Sequence, residues 1–225
     1  MSLDPAHSPD LFRLPDGSYE RALARDLGGV IAGLDEVGRG PLAGPVMACA
    51  VILDPADLPE GLADSKTLSA RKRDGLAELL QSRVRFGLGE ASVAEIDAIN
   101  ILQATFLAMR RAFAAVCATP GPAPILALVD GNKDPGLGCP ARPVVKGDGK
   151  VASIAAASII AKVTRDRLMA DLHTIHPHYG WDRNAGYPTK AHLAGLAHHG
   201  VTPHHRRSFA PVHNILYSQE RNESG

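Results

Sequence analysis

Apolar and polar positions along this chain fall into short runs of two kinds. Gly29-Val-Ile-Ala-Gly-Leu34 is apolar throughout and stops at Asp35-Glu36. A run too short for a helix and closed by charge predicts a buried strand. After a turn-rich piece from Gly38 to Pro45, Val46 to Leu53 predicts a second strand, near enough to pair with the first as a hairpin. Ser69 to Ser82 has helical spacing, with Leu76, Leu79 and Leu80 on one face and basic residues on the other. Val84 to Ala91 reads as a third strand. Ser92-Val-Ala-Glu95 is a capping-box pattern opening a helix, and a longer helix runs from about Ile101 to Val116 until Thr119-Pro-Gly-Pro-Ala-Pro124 breaks it. Ile125 to Val129 is a fourth strand, again ending in an acid, Asp130. Pro143-Val-Val145 is a short strand and Lys146 to Gly149 a turn. Val151 to about His173 reads as a long helix whose small-residue start lets its axis lie close to a sheet. Thr189 to His199 is a short helix, and Pro203 to Ser208 a basic segment.

A hairpin followed by alternating helices and strands predicts an α/β fold with a mixed sheet flanked by helices. Residues 1–27, with Pro5, Pro9 and Pro15 and no clear periodicity, read as an irregular lead-in. Residues 218–225 read as a polar tail.

Composition bounds this picture. A chain of 225 residues can bury one sizeable core, so a single domain, residues 28–217, is expected. No apolar run is long enough to span a bilayer, and Met1 to Asp16 lacks the basic cap and apolar stretch of a secretory signal. Cys49, Cys117 and Cys139 fit neither a disulfide framework nor a CxxC site. The expectation is a cytoplasmic protein with no membrane partner, and a monomer. The 24 basic and 24 acidic residues balance, whereas proteins that grip many phosphates usually carry excess Lys and Arg. Any case for nucleic acid therefore has to come from local constellations.

The acids supply one. Asp35-Glu36 and Asp130 end apolar strands, where side chains leave the core, and Asp148 opens the long helix. Carboxylates converging on one cleft need cations, and hard oxygen ligands favour Mg²⁺ or Mn²⁺. Two such ions can activate water and stabilise a leaving oxygen in phosphodiester hydrolysis. The plainer readings stand beside this one: Asp130-Gly131 is a common turn dipeptide, and Asp148 has the position of a helix cap.

The flanking residues discriminate. Gly33-Leu-Asp-Glu-Val-Gly-Arg-Gly-Pro-Leu-Ala-Gly-Pro-Val46 resembles the signature that opens the catalytic domain of ribonuclease HII. Asp64-Ser65-Lys66, Val129-Asp130-Gly131, Lys146 to Asp166, Gly186 to His192 and His205 to Val212 resemble the family's later motifs, in order and spacing. The resemblance implies a ribonuclease H-like fold: a mixed five-stranded sheet flanked by helices, with a small C-terminal helical part (about 178–217). It implies that Asp35, Glu36, Asp130 and Asp148 hold divalent metals, Mn²⁺ or Mg²⁺. Gly38, Arg39 and Gly40 match the tripeptide whose backbone contacts a ribose 2′-hydroxyl, and Tyr187 matches the tyrosine that stacks on the next sugar. Ser65, Lys66, Lys146 and Arg206 are further candidates to bind substrate. The implied substrates are RNA/DNA hybrids and duplex DNA carrying an embedded ribonucleotide, cut 5′ of the ribonucleotide to leave 3′-hydroxyl and 5′-phosphate ends.

The chemistry agrees from below. The 2′-hydroxyl is what distinguishes RNA from DNA, and a glycine-flanked backbone can approach it because no Cβ intervenes.

Other residues carry weaker readings. Ser158 reads as a packing residue, and Ser153 is left between packing and phosphate contact. Asp166 reads as the partner of a nearby Arg. The ten histidines lack zinc-site spacing and read as surface or capping residues, with His192 holding the Tyr187 loop. Arg206-Arg207 could grip phosphate or pair with acids, and Trp181 reads as packing. The competing functions are a ribonuclease HIII-like nuclease on the same fold, a non-catalytic duplex-binding module, and a small-molecule phosphohydrolase.

Overall fold

The structure, a computed structural model, describes residues 15–62 and 68–223. Five strands form one sheet: β1 (Ile31–Val37), β2 (Val46–Ile52), β3 (Arg85–Ala91), β4 (Leu126–Asp130) and β5 (Ala141–Val144). Their order is β3-β2-β1-β4-β5, with β1, β2 and β3 antiparallel and β1, β4 and β5 parallel. The central position of β1 explains its unbroken apolar run. Both of its faces are covered, so alternation has no use there.

One face packs on α3 (Val93–Cys117), where Ala32 and Leu34 meet Ala104, Ala108, Met109 and Ala112. The other face packs on α2 (Ala70–Arg83) and α4 (Ala152–Ile175), whose alanines 155, 156, 157 and 161 are all buried. The small residues of α4 bring its axis against β1. A Cβ on Gly33 would lie 2.4 Å from the Ser153 carbonyl carbon, so the approach admits only glycine. Beyond α4 a smaller cluster gathers α5 (Trp181–Asn184), α6 (Lys190–His199) and α7 (Ala210–Glu223) around Leu42, Met169, Tyr179, Trp181 and Val212.

The Ser92–Glu95 capping box opens a helix as expected, and a longer segment follows from Ile101; α3 joins the two across a kink. Asn100 interrupts it with φ 65°, and its side chain accepts from Leu102 N and Gln103 N, restarting the helix. The lead-in is not irregular throughout. Ser18–Leu27 is a helix, α1, closed by Gly28 in the left-handed conformation, with Tyr19, Glu20 and Leu23 buried. The helix is amphipathic, with Tyr19 and Leu23 four residues apart on its buried face and Glu20 beside them. Asp64, Ser65 and Lys66 lie outside the described residues, as does the chain before Pro15.

Candidate active site

Two strand ends meet. The parallel register Leu34↔Val129 carries Asp130 alongside Asp35 on the α4 face of the sheet. Glu36, the next residue, faces the α3 side, where it borders a groove of about 200 Å³ with Arg39, Thr105, Phe106, Asp130, Asn132 and Lys133. Asp35 is only 7% exposed. Burial raises its carboxyl well above the ordinary range, and the charges of Glu36 and Asp130 push the same way, against a hydrogen bond from Ser158. Burial also raises Glu36, with Asp130 adding repulsion, while the Arg39 guanidinium 3.2 Å away opposes the rise.

Asp130 Oδ1 accepts from Gly147 N at 2.6 Å. Gly147 opens the 3-10 turn Gly147–Gly149. Asp148 is the following residue, its Cα one peptide (about 3.8 Å) further on. The turn, not α4, carries Asp148, since α4 begins at Ala152.

This donor set suits a hard divalent cation. All four groups are carboxylates, and one oxygen of Glu36, Oε2, is buried without a hydrogen-bond partner. A cation would relieve the mutual repulsion. Among the described residues, no group of three His, Cys, Asp or Glu side chains is gathered closely enough to hold an ion by itself.

Beside the acids runs the loop Gly38-Arg39-Gly40. Gly38 has φ 90°, and a Cβ there would fall 2.1 Å from Arg165 Nε. The loop is held from behind by two buried arginines. Arg206 Nε donates to Gly44 O (2.9 Å), Nη1 to Arg39 O (3.0 Å) and Nη2 to Gly38 O (2.5 Å). Arg165 donates to Pro45 O, Ala185 O and Ala43 O at 2.9–3.0 Å. Burial lowers both guanidinium pKa values, and their proximity lowers Arg206 further, yet both stay charged at neutral pH. The Tyr187 ring, 44% exposed, covers the front of the loop, with Cε1 3.2 Å from where a Gly40 Cβ would sit.

The Tyr187 segment is tied down by a line of neutral histidines. Thr202 N donates to His205 Nδ1 (3.0 Å), so the His205 proton sits on Nε2, 3.1 Å from His192 Nε2. Trp181 Nε1 also donates to His192 Nε2 (3.1 Å). That nitrogen is therefore an acceptor, and His192 Nδ1 carries the proton that reaches Tyr187 O at 3.0 Å. Burial holds both rings below the usual histidine range, His205 down to about 3 with repulsion from His192, His176 and His204 adding to it.

The sign for stability follows. In the unfolded chain each histidine takes a proton near pH ~6.5, whereas the native rings resist it. Stability is full above that pH and falls as pH drops below it, by up to about 1.4 kcal/mol per pH unit for each group. The melting temperature is expected to fall by several degrees between pH 6.5 and 5, and His205→Gln is expected to flatten that limb. An unchanged slope in the variant would show that other groups set it.

The family model for ribonuclease HII matches residues 32–212. A ribonuclease HII of Ruegeria pomeroyi is 59% identical over 206 residues, covering 91% of this chain and 86% of the relative. One of Paramagnetospirillum magneticum is 63% identical over 198 residues, covering 85% and 95%. The chain belongs to the ribonuclease HII family. Among solved structures, the ribonuclease H2 of Pyrococcus horikoshii superposes with a TM-score of 0.69 at 26% identity, covering 84% of this chain and 98% of that one. A Bst-RNase HIII in complex with Mn²⁺ reaches the same TM-score at 18% identity and shares the fold. A ribonuclease H-like mixed five-stranded sheet flanked by helices is thus what the chain adopts, and dependence on a divalent metal goes with the family.

Within this ribonuclease HII, several expected roles change. Arg206 is wholly buried, and its Nε, Nη1 and Nη2 are spent on the Gly38–Gly44 backbone, so it shapes that loop from within. Arg207 meets the acid Asp97 through its backbone N at 3.0 Å, and Ser208 caps the same carboxylate. Ser158 is more than packing, since it donates to Asp35. Ser153 donates to Glu20 through both N and Oγ, which removes it from phosphate contact. Asp166 pairs with Lys162 at 2.6 Å, not with an arginine. His192 holds the Tyr187 segment as expected, its Nδ1 3.0 Å from Tyr187 O, whereas His205 is a buried hydrogen-bonding residue, not a surface or capping one. Asn132 and Lys133, which border the groove, were legible only as the two residues after Asp130-Gly131. Lys146 is exposed at the left-handed residue entering the Asp148 turn.

Proposed function

We propose that this chain is a ribonuclease of the H2 class. It hydrolyses the RNA strand of RNA/DNA hybrids and cuts 5′ of a single ribonucleotide in duplex DNA, leaving 3′-hydroxyl and 5′-phosphate ends. The observation that carries the reading is the placement of Asp35 and Asp130 on adjacent parallel strands, beside a glycine-walled loop faced by an exposed tyrosine.

Asp35, Glu36, Asp130 and Asp148 would hold the metals, Mg²⁺ or Mn²⁺. Bound there, the ions supply an activated water and charge stabilisation at the phosphate. The remaining work belongs to the chain. The Gly38–Gly40 backbone presents polar groups to the 2′-hydroxyl at a distance that side chains would block. Tyr187 packs on the neighbouring sugar, where a second hydroxyl would be crowded. The exposure of Arg39 and Lys146 and the position of Lys133 at the groove support phosphate contacts there, and the family resemblance supports a phosphate contact for Lys66 and a substrate contact for Ser65. Ser158 orients Asp35, and Gly147 N orients Asp130. The retained acids oppose a purely duplex-binding role, since uncompensated carboxylates repel phosphate. We place the protein in the cytoplasm as a monomer. Among the described residues no helix is long and apolar enough to cross a membrane.

The test offers duplex DNA with one embedded ribonucleotide beside an all-DNA duplex, with and without chelator. Cutting confined to the first duplex and abolished by chelator is expected. Tyr187→Ala is expected to reduce kcat/KM on the single-ribonucleotide duplex about tenfold or more, with a smaller loss on a full hybrid. Equal cutting of both duplexes removes the proposal.

A further inference from the structure

Helix α4 lacks a cap of its own. Val151 occupies its N-cap position and has no side chain to offer. Its first amides are buried, with Ala152, Ser153 and Ile154 all at 1% exposure or less, so water cannot serve them. The missing acceptor comes from 133 residues earlier. Glu20 on α1, itself 2% exposed, accepts from Ser153 N at 2.8 Å and from Ser153 Oγ at 3.0 Å. A carboxylate at the positive end of a 24-residue helix is favourably placed. The small cavity next to it is otherwise walled by Ala24, Gly29, Val30, Ile31, Leu53 and Pro55, with no cationic side chain among its lining residues. The helix end is thus the partner that this buried charge has.

What this cap holds is the scaffold of the acids. Val151 N donates to Gly147 O at 2.8 Å, tying the start of α4 to the turn that carries Asp148. Gly147 N holds Asp130, and Ser158, further along α4, lies close enough to Asp35 to favour its ionised form. Ser153 is also the residue against which Gly33, two before Asp35, has no room for a Cβ. Strand β1, helix α1 and helix α4 therefore meet at one serine. An axial slide of α4 would change three acid contacts together.

We propose that Glu20 is a positioning residue for catalysis: by capping α4 across the fold, it sets the height of that helix against β1 and so the spacing of Asp35, Asp130 and Asp148. The inference rests on the assignment of those acids as metal ligands. It also makes α1 part of the catalytic unit instead of an appendage.

The full-length chain tests it in four forms: native, Glu20→Ala, Glu20→Gln, and Glu20→Ala combined with Val151→Thr, which is close to isosteric and supplies a cap within the helix. Three readouts are taken: amide exchange over residues 152–158, the Mn²⁺ concentration giving half the metal-induced rise in melting temperature without substrate, and kcat and KM on the single-ribonucleotide duplex. For Glu20→Ala we expect faster exchange in that segment, a Mn²⁺ half-effect raised about fivefold, and kcat lowered about tenfold with KM little changed. Glu20→Gln keeps an acceptor and is expected within about threefold of native, and Val151→Thr is expected to restore most of what Glu20→Ala loses. A lower melting temperature with the Mn²⁺ half-effect and kcat both unchanged overturns the proposal, because it leaves Glu20 a purely structural role. If Glu20→Ala does not fold, Ser153→Ala, which keeps the amide bond and loses the hydroxyl bond, is expected to shift both quantities about two- to threefold, and no shift overturns the idea. Asp130→Asn run in parallel separates the two readings: its retained activity would sink the acid assignment, whereas an inactive Asp130→Asn beside an unaffected Glu20→Ala sinks only the positioning role.

Discussion

Asp35→Asn is expected to raise the melting temperature of the metal-free protein while lowering kcat about a thousandfold or more. The two effects share one cause. Asp35 is nearly buried beside Asp130, with Glu36 next to it in the chain, and both burial and those charges oppose its ionisation. A buried charge without a compensating partner costs stability, and an amide of the same shape keeps an acceptor for Ser158 without the charge. The gain is about 1–3 kcal/mol, or several degrees for a chain of this size. Added Mn²⁺ should reverse the order, because an ion that binds only the folded state stabilises the native protein by mass action and has lost a ligand in the variant. Melting curves in chelator and in millimolar Mn²⁺ check both signs. A destabilised Asp35→Asn in chelator would mean that the Ser158 bond, and not repulsion, dominates at this carboxylate.

The second large effect is at Arg206. Removing its side chain leaves the carbonyls of Gly38, Arg39 and Gly44 without their buried donor, and it strips a cation from the face of Phe209, 5.1 Å from the ring centroid. Unsatisfied buried groups cost about 1–3 kcal/mol each, so Arg206→Ala is expected to cost about 3–5 kcal/mol once water fills part of the gap. That is roughly 10 °C in melting temperature. Arg206→Lys should recover little, since one ammonium cannot reproduce a planar fork reaching three carbonyls. The same variants decide between shaping the loop and gripping phosphate. Arg206→Lys is expected to raise KM on the ribonucleotide duplex while leaving the salt dependence of binding unchanged. Arg39→Ala, which removes an exposed cation, is expected to shallow the salt slope by about one unit. A slope shallower by a similar amount for Arg206→Ala, which removes the charge, would put Arg206 on the phosphate backbone after all.

These arginines also bear on how a chain with 24 basic and 24 acidic residues handles a polyanion. The charge is balanced overall but not locally. Arg165 and Arg206 sit behind the Gly38–Gly40 loop, held by carbonyl dipoles, and Arg39 stands on its front. Fixed positive charge in a dry setting acts more strongly on a nearby phosphate than the same charge in water. Net charge was therefore a poor guide here.

Much of the architecture was legible because it is local. Short apolar runs marked β1, β2 and β4; Ser92 and Glu95 marked the start of a helix; the proline-rich stretch after Thr119 marked its end. The misreadings have a common origin in side chains whose partners are remote. Helix α1 carries an amphipathic pattern that the prolines before it overshadowed, and nothing near Glu20 shows that its partner lies 133 residues away. Arg206 looked like a surface cation because nothing nearby in the chain shows three carbonyls waiting 162 to 168 residues earlier. Ser158 looked like a spacer until Asp35 was seen beside it; His192 was legible as the residue that holds the Tyr187 segment, but His205 looked superficial until it and Trp181 proved to meet His192 in one hydrogen-bonded line.

The amino-acid sequence alone determined which elements form and which residue types end them, because hydrophobic period, capping and turn chemistry act over a few residues. It also determined family membership, through motifs whose order and spacing leave little room for coincidence. Only the tertiary structure decided which charges are buried, which acids adjoin, and what holds the Gly38–Gly40 loop from behind. Those outcomes depend on parallel strand register and on desolvation, which couple residues a hundred or more positions apart and leave no trace in any short window of the chain.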